Sequence, residues 1–167
     1  VIERGPVELV EHFSTVSTNK AIDESVLFFE SYDDNGNDRP LSQVDKIKFA
    51  TRKRLERIGP YTDSWPQAMA LGALPQNVPS TMKNISNTID SLWSICGDYS
   101  DNSSTSYYTK RGLLSGVYLA TEMYMLTDTS KDFEDSWNFL DRQVDTIING
   151  STAVSYTHLR AHETIAD

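Results

Sequence analysis

The chain has 167 residues, 38% hydrophobic and 10% aromatic, with a formal net charge of −9 and a pI near 4.7. This is long enough for one domain with a real core, and too apolar and aromatic for a disordered segment. The acidic balance argues against broad non-specific nucleic-acid binding, which needs a positive face.

The predicted elements are helical almost throughout. Pro6 opens a segment in which Leu9, Phe13 and Val16 fall on one helix face, followed by Ile22, Val26 and Phe29. DDNGNDRP (33–40) reads as a loop by its turn chemistry. SQVD (42–45) is a capping-box pattern with Asp in place of Glu. It opens a helix carrying Val44, Ile47, Leu55 and Ile58, which Gly59 and Pro60 end. TDSWPQAMALGALPQNVP (62–79) reads as a short helix between two prolines, capped by Ser64, with Pro66 in its first turn. Ile85, Ile89, Leu92, Trp93 and Cys96 mark a strongly amphipathic helix that Gly97 stops. GDYSDNSST (97–105) is a polar loop. The run from Tyr107 to Leu126 is apolar on most sides and is predicted to be central and buried. Phe133, Trp137, Leu140, Val144 and Ile147 predict a last helix ending before Asn149 and Gly150. No strand alternation and no internal repeat is present in the pattern, so the fold expected over residues 1–150 is an all-α bundle.

Two features concern the ends. The chain begins at Val1 without Met, inside a patterned segment, and reads as a piece of a longer chain. VSYTHLRAHET (154–164) has no core face and resembles the conceptual translation of a sequencing adapter, so residues 154–167 are expected to be non-native.

Chemistry is sparse. Cys96 is the sole cysteine, which excludes an intrachain disulfide or a thiolate zinc site and fits a reducing compartment. Asn84, Asn102 and Asn149 open Asn-x-Ser triplets, a chance match in an Asn- and Ser-rich chain. No run reaches the roughly 18–20 apolar residues of a spanning helix. His12 is the only histidine before the tail, and no Glu-x-x-His pair of a di-iron carboxylate bundle exists. His158 and His162, with Glu163, have metal-like spacing but lie in the adapter-like tail. No nucleophile elbow, P-loop or dinucleotide fingerprint occurs. Glu122 sits inside the apolar run and needs a buried partner. The expectation is therefore a non-enzyme without cofactor or metal. Leu113, Leu114, Val117, Tyr118, Met123, Tyr124, Met125 and Leu126 fit either ordinary core or a pocket for an apolar ligand. YYTKR (107–111) puts Lys110 and Arg111 at a helix N-terminus, where the helix dipole does not favour cations.

PYTDSWPQAMALGALPQNVPSTM, SLWSICGDYSDNSSTSYYTKRGLLSGVYLATEMYMLTD and DFEDSWNFLDRQVD, in that order, resemble the COQ-nine family of ubiquinone (coenzyme Q) biosynthesis accessory proteins over about residues 60–148. ERGPVELVEHF (3–13) is similar to the family's junction after its N-terminal helices. The resemblance implies a bundle like the ligand-binding domain of TetR-type regulators. It implies an isoprenoid or quinone lipid as ligand, a homodimer, and peripheral association with the matrix side of the mitochondrial inner membrane (cytoplasmic in bacteria). It also implies docking to the di-iron demethoxyubiquinone hydroxylase, to which the quinone intermediate would be presented. A ligand-responsive transcriptional regulator of the TetR type is the alternative, and it needs a basic helix-turn-helix that would precede Val1; no nucleic-acid partner is expected. The implied docking residues are Leu92, Trp93, Gly97, Asp98, Tyr107, Tyr108, Lys110 and Arg111. Tyr107 stands where the family commonly has Trp, and DNSSTS is longer than the family's acidic turn. The candidate lipid-lining residues are Leu113, Leu114, Val117, Tyr118, Met123, Met125, Leu126 and Trp137. The family's C-terminal amphipathic helix would follow residue 150, where the adapter-like tail stands.

Overall fold

A computed structural model of the chain describes residues 4–34, 39–97 and 105–163, and for 34, 105–106 and 149–163 the backbone alone. Among the described residues there are six α-helices and no strand. They are α1 (Pro6–Asp34), α2 (Gln43–Glu56), α3 (Trp65–Gly72), α4 (Val78–Ile95), α5 (Thr105–Met125) and α6 (Glu134–Glu163), with 3-10 turns at Gly59–Tyr61 and Lys131–Phe133. α1 packs on α2, α3 and α4, and α5 packs between α4 and α6. One core joins them through Ile47, Leu55, Ile89, Leu92, Trp93, Leu114, Met125, Leu140 and Val144. Each such large apolar side chain contributes about 1.5–3 kcal/mol by leaving water.

The starts and stops follow local chemistry. At α2 both halves of the capping box form: Ser42 Oγ accepts from the Asp45 amide, and the Asp45 carboxylate accepts from the Ser42 amide, each at 3.2 Å. The Ser42 hydroxyl, donating to the Asp45 carboxylate at 2.6 Å, and the Ser42 amide, with burial working against them, hold the Asp45 carboxyl below the usual range. Gly97 ends α4 at φ +80°, a left-handed stop that glycine takes without a Cβ clash. α6 is capped from a distance. Phe133, just before it, has φ +59°. The open amides are met instead by Ser130 Oγ, accepting from Asp135 N at 3.0 Å, and by Asp128 Oδ2, accepting from Ser136 N at 2.9 Å.

Four expectations are corrected. On α1, Leu9 is 64% exposed, and the buried stripe is Val7, Ser17, Thr18, Ala21, Ser25 and Phe29. Small side chains let α1 lie close to its neighbours, and their hydroxyls find acceptors within the bundle, as in Ser25 to the Ala21 carbonyl at 2.6 Å. Ser64 stands before α3 but makes no side-chain cap; its hydroxyl donates back to the Tyr61 carbonyl at 3.2 Å. α5 is not buried all round: Leu114, Val117, Tyr118, Thr121, Glu122 and Met125 face in, whereas Met123, Tyr124 and Leu113 are exposed. α6 does not end before Asn149 but runs through Gly150 to Glu163, although an interior glycine costs about 1 kcal/mol relative to alanine.

Candidate functional site

An apolar-lined cavity of about 320 Å³ lies between α1, α3, α4 and α5. Val7 and Val10 come from α1, Ala68 and Met69 from α3, Val78 and Ile85 from α4, and Tyr118 and Leu119 from α5. Its size is at the lower end of ligand pockets, which are usually apolar with a few convergent polar groups. Close contact between α3 and α4 shapes one wall. Thr81 Oγ1 donates to the Gly72 carbonyl at 3.1 Å, and a Cβ on Gly72 would meet that same oxygen at 3.1 Å.

The polar groups converge at one end. Glu122 is 6% exposed, and one of its carboxylate oxygens accepts from Trp65 Nε1 at 2.9 Å. This is the partner that its place in the apolar run required. Burial pushes the Glu122 carboxyl above its ordinary range, and the Trp65 bond and the Arg54 charge offset only part of that. Arg54 of α2 also reaches the wall and is 2% exposed. Its Nε donates to Thr18 Oγ1 at 3.0 Å and its Nη2 to Ser14 Oγ at 3.1 Å, both on α1. Its guanidinium lies 5.9 Å from the Tyr118 ring centroid. Nη1 is buried and meets no protein acceptor. Burial likewise raises the Tyr118 phenol.

The YYTKR cluster lies at the other end of α5, on its first turns. Arg111 stacks 3.4 Å from the Tyr107 ring centroid and pairs with Asp90 of α4 at 2.5 Å. The Tyr107 hydroxyl donates to the same Asp90 oxygen at 3.3 Å. Lys110 sits over the Trp93 ring at 5.8 Å. So the cations offset the missing dipole stabilisation by pairing across to α4. Tyr108, 66% exposed, stands edge-on to Tyr107 at 5.2 Å between centroids.

The structure thus brings part of the expected docking set together. Tyr107, Tyr108, Lys110 and Arg111 share one face, with Gly97 half-buried at the end of α4. Leu92 and Trp93 lie in the core and present no surface, with Lys110 over the Trp93 ring. Asp98 lies outside the described residues. Of the lipid-lining candidates, Tyr118 lines the cavity. Leu114, Val117, Met125 and Trp137 are core, Leu126 packs partly buried against it, and Leu113 and Met123 are exposed. Sequence reasoning missed Arg54 and the α1, α3 and α4 walls. The signal for Arg54 was present: Ile47, Ala50, Thr51, Arg54, Leu55 and Ile58 form one helical stripe, and the arginine falls within it.

His12 is exposed on α1, and the side chains of His158, His162 and Glu163 lie outside the described set. Among the described residues no group of three or more His, Cys, Asp or Glu could hold a metal ion. No described helix is long and apolar enough to cross a membrane. Cys96 is buried, which pushes its thiol up to about 12 and makes it a poor nucleophile.

Comparison with known proteins places the chain. The COQ9 family profile matches residues 78–150, which include α4, α5 and the first half of α6. The ubiquinone biosynthesis protein COQ9, mitochondrial, of Xenopus tropicalis is 34% identical over 154 residues, 92% of this chain and 48% of that protein. The human protein of the same name is 37% identical over 120 residues, 68% of this chain and 37% of its own length. The probable ubiquinone biosynthesis protein coq9, mitochondrial, of Dictyostelium discoideum is 39% identical over 108 residues, 65% of this chain and 34% of its own. The chain therefore spans about half the length, or less, of these curated relatives. On its helical order, its matched segment and these identities, the chain belongs to the COQ9 family.

Proposed function

We propose that this chain is the lipid-holding part of a non-enzymatic accessory protein of ubiquinone biosynthesis. The single observation that carries the reading is the apolar cavity with one polar end, in a chain whose relatives are named for that pathway. The tail of a polyprenylated quinone intermediate is insoluble in water, and its head must still reach the active site of the next enzyme. A pocket that shields the apolar part and a separate docking face that meets the demethoxyubiquinone hydroxylase serve that need. The working place is the matrix side of the mitochondrial inner membrane, consistent with relatives named as mitochondrial. The test is native mass spectrometry of the purified protein. Bound isoprenoid lipid above the level in a control protein is expected, and its absence rejects the pocket reading.

The docking face is Tyr108 with Tyr107, Lys110 and Arg111, since aromatics and arginine are the usual energetic centres of interfaces. Tyr108→Ala is expected to weaken capture of the hydroxylase in a full-length background, while the folding stability changes by no more than about 0.5 kcal/mol. Unchanged capture rejects that face. A homodimer is supported by the outward side of α5, where Gly112, Gly116 and Ala120 are exposed beside Leu113 and Met123. A side chain at Gly116 meets nothing within 4 Å in the single chain. Gly116→Arg is therefore expected to leave the fold intact and to halve the mass seen by light scattering.

A further inference from the structure

We infer that Arg54 gives the cavity its selectivity, admitting an apolar ligand that carries an uncharged oxygen acceptor and placing that oxygen against Nη1. The inference rests on reading the cavity as a ligand pocket. Its own observation is the arginine. A guanidinium is a rigid fork of five N–H donors that stays charged in a protein interior. In Arg54 the edge formed by Nε and Nη2 is fixed to α1 by Thr18 and Ser14. The remaining nitrogen, Nη1, has no protein acceptor although the residue is 2% exposed and lines the cavity. A buried donor left unmet is costly, so a site of this form favours a ligand that supplies the acceptor.

The other walls decide which acceptor. Glu122 and Glu11 both line the same cavity, and Glu11 accepts from Arg4 Nη1 at 3.0 Å. A carboxylate or phosphate entering here would bring a further negative charge to a wall where Arg54 already interacts with the Glu122 carboxyl and Glu11 already holds Arg4. A ketone, quinone or phenol-ether oxygen takes the Nη1 bond and brings no charge of its own. Tyr118, Met69, Ile85 and Val10 then enclose the hydrocarbon part. Binding sites built to hydrogen-bond one atom reject analogues that lack it, because their buried polar group is then left unpaired.

Three probes with closely similar apolar bodies test this by isothermal titration: butyrophenone (a neutral ketone), n-butylbenzene (no oxygen) and 4-phenylbutyrate (an anion). The wild-type chain is expected to bind the ketone at least about tenfold more tightly than the hydrocarbon, and the anion more weakly than either, since an unmade buried hydrogen bond is worth that order. Arg54→Met is expected to bind ketone and hydrocarbon alike, with a cooperative melt showing that it is folded. Should Arg54→Met not fold, the Nη resonances of Arg54 in the wild-type chain are the readout, shifting with butyrophenone and not with n-butylbenzene. Equal wild-type affinity for ketone and hydrocarbon overturns the role of Arg54 and leaves the pocket standing. Tighter binding of 4-phenylbutyrate than of the ketone overturns the charge argument. Failure of all three to bind overturns the pocket reading itself.

Discussion

The two ends of α5 treat buried charge in opposite ways. At its start, Arg111 has a carboxylate, Asp90, and an aromatic face, Tyr107, and Lys110 covers Trp93. Near its other end, Glu122 and Tyr118 face a cavity, and the cation that reaches them, Arg54, keeps one donor without a protein acceptor. At the first end the charges are met by partners within the protein. At the second, one buried donor stays without a protein acceptor beside a cavity. One helix thus joins a cluster whose charges are paired to a cavity wall where one donor is not.

Removing the core side chain beneath Lys110 has the largest effect. Trp93→Ala is expected to cost about 3–5 kcal/mol in chemical denaturation, because a fully buried indole leaves a cavity under Lys110. Next, Asp128→Ala removes the distant cap of α6 and is expected to cost about 1–2 kcal/mol. Burial works against the Asp128 carboxylate, but hydrogen bonds from Ser130 and Ser136 outweigh it and bring the group to about 2. A lowered folded value means that the contribution is whole above the ordinary 3.8 and fades as pH falls toward about 2. The difference between wild type and Asp128→Ala should therefore shrink in acid. Asp90→Asn comes third, at about 0.5–1 kcal/mol and smaller in high salt, since the Asp90 side chain is 40% exposed and screened. The finest probe is Glu122→Gln, which keeps an acceptor for Trp65. The folded value of Glu122 is raised, so its contribution is whole below the ordinary 4.5 and is lost as pH rises through the folded value. Thermal melts across pH 4–8 should be flatter in Glu122→Gln than in wild type. A variant less stable than wild type by the same amount from pH 5 to 8 would mean that Glu122 is stabilised as a carboxylate by Arg54.

Much of the fold was legible because helix periodicity and end signals are local. The capping box at Ser42, the stop at Gly97 and the faces of α4 and the first half of α6 all rest on residues within a turn or two of one another. The misread parts depend on what lies across the bundle. Nothing near Leu9 says that α1 turns its small side chains inward, because that is set by the closeness of α2 and α4. The apolar run of α5 reads alike whether its outer face meets core or lies open. The candidate site was less legible for the same reason. Its walls come from four helices, and its distinguishing residue, Arg54, sits in a basic stretch, KIKFATRKRLER, that looks like a solvated face until the stripe from Ile47 to Ile58 is laid along it. YYTKR was visible as an anomaly, but its resolution needed Asp90, seventeen residues before Tyr107 in the chain.

Gly72 has a consequence for redesign. Because a methyl group there would press on Thr81 Oγ1, the spacing of α3 from α4 is set by an atom that is missing, not by one that is present. Efforts to enlarge the chamber for bulkier guests should therefore trim Met69 or Ile85 and leave position 72 untouched.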